Sequence, residues 1–333
     1  MKDFNNSINN SINNSMKNND HIIRAAAADG TVRAFAATTR GLVEEARTIH
    51  GLSPVAAAAL GRLMTAGCMM GTMLKDPKDL ITLTIRGDGP LGTVTVTADR
   101  DGRVKGFVNH PDVWLPLRSP GHLDVGRAVG SGTLTVVRDQ GMRDPYSSTI
   151  ELVSGEIGED LTAYFAYSDQ VPSTVGLGVL VDTDLHIKQA GGFIVQLMPG
   201  VADETIDKLE KNLENITSVT EMFEDGLTPE QILWRLLGNL GLEILETRPA
   251  EFYCSCSKER TAQVLLMLGK KELRSMIADG EPVELVCHYC SKKYEFSLDE
   301  LNGLLAEALV ASLAGKKIIE IGPVAEDEAE DDK

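Results

Sequence analysis

The 333-residue sequence predicts an α+β protein with a mixed-sheet N-terminal domain, a helical linker and a small C-terminal four-cysteine zinc domain. Three observations predict it. Short β-branched runs separated by Gly-rich turns fill much of residues 80–153. Apolar spacing of three and four replaces alternation from residue 203. Four of the five cysteines fall into two short pairs towards the C-terminus.

Residues 1–19 are an Asn/Ser repeat without an apolar core, expected to be a disordered extension and not a secretory signal. The α+β domain is expected over 20–202. Residues 41–72 read as two helices, the second opened by Ser53 as cap and Pro54 at the first helical position. Strands are expected at 80–86, 92–98, 103–109, 132–138 and 148–153, with DG, GDG and GSG turns between them. A helix over 158–168 and apolar strands at 174–181 and 193–198 close the domain.

Residues 203–250 read as a helical, metastable linker. Ile206, Leu209, Leu213 and Ile216 make one apolar face; Met222 and Phe223 follow in a shorter piece. Thr228 and Gln231 form a capping box ahead of Ile232, Leu233, Leu236 and Leu237. Eleven acidic residues stand against four basic ones, and Gly226, Gly238 and Gly241 interrupt the run. Short amphipathic helices of this kind fold only against a neighbour. Alanine at Gly238 or Gly241, where the dihedrals permit, is expected to stiffen the linker.

Residues 251–313 read as the zinc-binding unit, with helices from Glu259 and Lys271, a strand on each side of the second cysteine pair, and a helix opened by Ser297 and Glu300. Residues 314–333 are a C-terminal segment with an acidic tail.

A hydrophobic content of 43% marks a folded chain, and a net charge of −17 disfavours nucleic acid as a partner, since a phosphate backbone needs a basic footprint. No apolar run is long enough to span a membrane. Clustered thiols in a chain without an export signal point to the cytoplasm and to metal or redox work.

Cys254-x-Cys256 and Cys287-x-x-Cys290 are separated by thirty residues and supply four thiols in two close pairs, the donor set of a tetrahedral zinc site. A purely structural ribbon is the plain alternative. Two features favour a switch. Both pairs are close enough to become local disulfides. Such small loops constrain an unfolded chain by about 2 kcal/mol each at most, whereas metal binding in comparable modules contributes on the order of 10–16 kcal/mol. A unit of roughly sixty residues has a marginal core, so loss of the metal is expected to unfold it. Lys258, Arg260, Lys270, Lys271, Lys292 and Lys293 could offset the thiolate charge, or be ordinary surface. Cys68, in the small-residue run GRLMTAGCMM, reads as a buried thiol; His288, inside the second pair, is a weaker ligand candidate than any of the four cysteines.

At these residues the sequence resembles the 33-kilodalton heat-shock proteins, redox-regulated holdase chaperones of the bacterial cytoplasm. FYCSCSKER and VCHYCSKKYEF carry the resemblance, supported by RGDGPLGTV, VGSGTLTVVRD, SGEIGEDLTAYFAYSDQVP and AGGFIVQLMPG, over residues 20–322. It implies a non-enzymatic, ATP-independent chaperone, inactive when reduced and zinc-bound. Oxidation by peroxide with heat, or by hypochlorite, is expected to pair Cys254 with Cys256 and Cys287 with Cys290, release one zinc ion and unfold the linker. The linker positions named above are then the candidate client-binding residues. The resemblance further implies a homodimer when oxidised and passage of clients to ATP-driven foldases.

Two other functions fit the sequence less well. A zinc-ribbon nucleic-acid module is disfavoured because residues 251–300 carry nine acidic against seven basic side chains, with no basic face. A thiol oxidoreductase is disfavoured because the Cys-x-x-Cys lies in a knuckle and not at a helix N-terminus.

Overall fold

The computed structural model describes residues 20–216 and 218–313, with side chains to residue 310. The expected N-terminal extension (1–19) and acidic C-terminal segment (314–333) lie outside the described residues. The chain divides into two compact units, the first ending at Cys254 and the second starting at Ser255.

In the first unit β1 (His21–Ala27) and β2 (Val32–Thr38) form a hairpin, followed by α1 (Arg40–His50) and α2 (Pro54–Gly71). Ser53 caps α2 as expected, accepting from the Ala56 amide. Next come β3 (Leu80–Gly87), β4 (Thr93–Asp99), β5 (Arg103–Val108), α3 (Val125–Val129), β6 (Gly132–Asp139), β7 (Tyr146–Glu151), α4 (Gly158–Tyr167), β8 (Ser173–Val181) and β9 (Ile187–Leu197). Then follow α5 (Asp203–Glu214), α6 (Val219–Glu224), α7 (Pro229–Leu237), a 3-10 turn (Gly238–Leu240), β10 (Glu243–Pro249) and β11 (Glu251–Phe252).

Two sheets result, with strand orders β10-β1-β2-β9-β8 and β11-β5-β4-β3-β6-β7. Every pairing is antiparallel except β11 with β5. Helix α2 is apolar all round, and all its residues but Pro54 and Arg62 are buried, the expected fate of a helix with no polar face. It packs against both sheets. Gly67 and Gly71 permit this closeness: a Cβ there would lie 2.8 Å from the Val96 side chain and 2.4 Å from the Asp99 carbonyl oxygen.

The first sheet has a core on each face. Ile22, Phe35 and Ala37 face the core built around α2. Their alternating neighbours Ile23, Ala25, Ala27, Ala34 and Ala36, with Phe193 and Val195, face a second core completed by α5, α6 and α7.

The helical linker expected over 203–250 is helical only to Leu240. Residues 243–249 form a strand, because β1 offers an open edge and the run EILETRP has too short a period to build a further helix. The hairpin of β1 and β2 likewise lies outside the strands expected from the sequence.

The second unit contains α8 (Lys258–Leu268), α9 (Lys270–Ala278), a hairpin of β12 (Val283–Val286) and β13 (Lys293–Phe296), and α10 (Leu298–Leu313). Its core is small: Leu265, Leu266, Leu273, Phe296, Leu301 and Ala308 are its buried members among the described residues.

Candidate metal centre and linker

Each cysteine pair is placed by a local motif. Cys254 follows β11, whose last backbone bond runs from the Tyr253 amide to the Val104 carbonyl. Ser257 then caps α8 by accepting from the Arg260 amide at 3.3 Å. Cys254 and Cys256 therefore occupy the short turn between a strand end and a helix start. The second pair sits on the turn between β12 and β13. The Cys287 carbonyl accepts from the Cys290 amide at 3.3 Å and the Ser291 amide at 2.8 Å, and the Lys292 carbonyl accepts from the Cys287 amide at 2.9 Å. Ser291 takes φ 56°, the left-handed step that closes the knuckle.

The four sulfurs lie within 4.8 Å of one another, each half-buried. A tetrahedron with Zn–S near 2.3 Å has sulfurs about 3.8 Å apart, so the donor set fits one ion of that size. The Cys256 and Cys290 sulfurs, from different pairs, are 3.2 Å apart. His288 is not part of this group of four. The four cysteines expected from the sequence are thus positioned together to bind a metal ion.

Tyr294, on β13, donates its hydroxyl to the Cys256 sulfur at 3.1 Å, a contact sequence spacing did not suggest. The hydrogen bond to Cys256, then burial and the nearby thiols, push its hydroxyl up to about 12. Two of the possible counter-charges pair with carboxylates: Lys258 with Glu300, and Lys293 with Glu284 at 2.9 Å. Arg260 reaches the Ser255 hydroxyl at 2.6 Å. Cys68 is fully buried in the core around α2, and burial pushes its thiol well above the ordinary range, so it is inert in the folded chain.

Most of the linker positions come together on the sheet. Leu209, Met222, Phe223, Ile232, Leu233, Leu236 and Leu237 are buried in the second core. Leu213 and Ile216 are half-buried against it, and Ile206 is half-buried without joining it. The Phe223 ring rests on Gly191, where a Cβ would come within 2.4 Å of the ring. The platform below is lined by Ala25, Ala27, Ala34 and Ala36, short side chains over which helices can settle closely. Polar fastenings from helices to sheet are few among the described residues. Leu240 accepts from the Ala28 amide at 2.7 Å, Phe223 accepts through its carbonyl from Gln189 at 3.2 Å, Glu230 meets His21 at 3.1 Å, and Glu224 pairs with Lys188. Burial of apolar surface supplies most of the adhesion.

Fold and site define a class: an α+β protein with a four-thiol metal centre, preceded along the chain by helices that lay an apolar face over a sheet. The sequence pattern of the family described as Hsp33 protein matches residues 20–297. A 33 kDa chaperonin of Agathobacter rectalis is 56% identical over 284 residues, covering 85% of this chain and 99% of that one. A 33 kDa chaperonin of Staphylococcus carnosus is 48% identical over 289 residues, covering 86% and 98%. The crystal structure of the 33 kDa chaperonin (heat shock protein 33 homolog) of Thermotoga maritima superposes with a TM-score of 0.81 at 39% identity, covering 87% of this chain and 99% of that one. The chain belongs to the Hsp33 family, a family of chaperones and not a class of enzymes. No helix among the described residues is long and apolar enough to cross a membrane.

Proposed function

We propose that the chain is a redox-regulated, ATP-independent holdase of the cytoplasm, silent while Cys254, Cys256, Cys287 and Cys290 hold one zinc ion and active once they are oxidised. The single observation that carries this is the gathering of the four sulfurs within 4.8 Å in a unit whose own core is small. Zinc, when bound, would keep all four sulfurs as thiolates and contribute on the order of 10–16 kcal/mol to folding.

Oxidation uses the thiolates as reductants. One peroxide takes two electrons from a thiolate pair; its O–O bond breaks, an S–S bond forms, and two protons from solvent complete two waters. Two equivalents convert the centre into the Cys254–Cys256 and Cys287–Cys290 disulfides and remove all four metal donors. Residues 255–313 then lose the link that held 254 to 290, and the constraint this placed on the preceding chain is released. Leu209, Met222, Phe223, Ile232, Leu233, Leu236 and Leu237, with the platform they cover, become the surface that binds unfolding clients. The oxidised chain pairs as a homodimer and yields clients to ATP-driven foldases after reduction.

The test measures zinc and free thiols before and after peroxide, together with suppression of aggregation of a thermally unfolded client. Release of one zinc with loss of four thiols, Cys68 being spared, and activity only in the oxidised form are expected. Equal suppression by the reduced and oxidised forms would discard the switch.

A further inference from the structure

We propose that the edge of β1 is a docking surface for an extended segment of an unfolding client, and that β10 occupies this edge in the resting protein. The proposal deepens the redox-gated reading above and rests on it. β10 is an edge strand whose only sheet partner among the described residues is β1. None of its side chains is buried, and Ile244 and Leu245 are 47% and 51% exposed. Its register slips between Arg24 and Ala25: Glu246 faces Arg24 and Ile244 faces Ala25, so Leu245 has no counterpart. Backbone bonds and Arg248, which donates to the Arg100 carbonyl and reaches Asp101 at 3.5 Å, hold it in place.

β1 is built in the opposite way. Ile22, Ile23, Ala25 and Ala27 are at most 2% exposed, and β2 pairs along its whole length on the other side. It stays when β10 goes. β10 is tethered at one end to the linker helices through the 3-10 turn, and at the other runs through β11 into Cys254. The first tether is the one that oxidation loosens in the proposed switch, whereas β11 stays paired with β5, so β10 leaves by peeling from its helix-linked end.

Without β10, β1 presents a row of unpaired N–H and C=O groups. Beside it lies the platform of Ile23, Ala25, Ala27, Ala34 and Ala36, stripped of its helices. Backbone pairing recognises an extended chain without reading its sequence, and small platform side chains leave room for bulky ones from the client. The occupant is thus an extended, apolar segment of an unfolded protein, and β10 is the internal strand that stands in for it.

The experiment follows amide exchange of the full-length chain in three states: reduced and zinc-loaded, peroxide-oxidised, and oxidised with reduced, carboxymethylated α-lactalbumin as the unfolded probe. Alternate amides of an antiparallel strand serve its two neighbours, so β1 amides bonded to β2 are the internal control. The β10-facing amides are expected to lose protection on oxidation and regain it with the probe, the β2-facing ones staying protected throughout. Three results overturn the proposal: β10-facing amides that stay protected on oxidation, that stay open with the probe bound, or that close on raising protein concentration alone, which assigns the edge to a second copy's strand. Failure to capture the probe after oxidation overturns the redox reading and this proposal together; capture with those amides open overturns this one alone.

Discussion

Truncation of Phe223 to alanine separates a conditional interface from an ordinary core. The ring is 4% exposed, rests on Gly191, and belongs to a helix fastened to the sheet mainly by burial. Loss of a buried Phe side chain costs about 3–5 kcal/mol where the surroundings cannot collapse. A six-residue helix at the edge of a platform relaxes more readily than a closed core, so the lower figure applies. About 3 kcal/mol multiplies the ratio of released to docked linker roughly 150-fold. The assay is limited proteolysis of the reduced, zinc-loaded protein well below its melting temperature, alongside suppression of client aggregation. Phe223→Ala is expected to expose cleavage sites within residues 203–242 and to give chaperone activity without oxidant. Two controls frame it. Phe165→Ala removes a ring 1% exposed in the core around α2 and should lower the melting temperature without selective cleavage of the linker. Trp234→Ala removes a side chain 70% exposed and should change neither. If Phe223→Ala only lowers the melting temperature as Phe165→Ala does, and residues 203–242 stay as resistant as before, the docking of these helices is not separable from the core and the reasoning fails.

Tyr294→Phe removes the hydroxyl donated to the Cys256 sulfur, and loss of such a supporting bond should weaken zinc binding about 10- to 100-fold, measured by competition with a chromophoric chelator. Asp20 is buried and its carboxyl is raised from 3.8 to about 6, burial outweighing the hydrogen bonds it accepts from the Leu42, Gly41 and Arg40 amides. The folded chain therefore holds this proton more tightly than the unfolded chain. Its contribution is fully present below pH 3.8 and is lost as pH rises through about 6, a change on the order of 3 kcal/mol that Asp20→Asn should flatten in denaturant titrations across that range. Gly238→Ala keeps helical dihedrals, and its Cβ meets only the exposed Trp234 indole at 3.1 Å, so it should raise linker stability by about 0.4–1 kcal/mol and delay activation on heating. Gly241 sits at φ +70°, so alanine there should loosen the segment instead, read by the same activation curve.

The four cysteines were legible because their pairing is local: three- and four-residue spacings bring sulfurs together whatever surrounds them. The capping boxes and apolar stripes of the linker were legible for the same reason. The hairpin of β1 and β2 was not, because its strands are rich in alanine, which carries no β-branched signature; alanine is there to let helices settle on the sheet. The Asp29-Gly30 turn, with Ala28 at φ 49° and Asp29 at φ 54°, was the one local sign of it. β10 escaped because its pairing is with a strand more than two hundred residues earlier, and EILETRP does not alternate cleanly. The hydroxyl of Tyr294 escaped because it reaches across to the other cysteine pair, a relation that only the folded hairpin creates.

The first sheet is shared by two cores, only one of which depends on the linker. Ile22, Phe35 and Ala37 pack against the core around α2, on the face away from the linker helices. A chain that has shed its helices thus keeps the mould that shaped them. If the helices leave as the proposed switch requires, their return is a short local search over a surface already set.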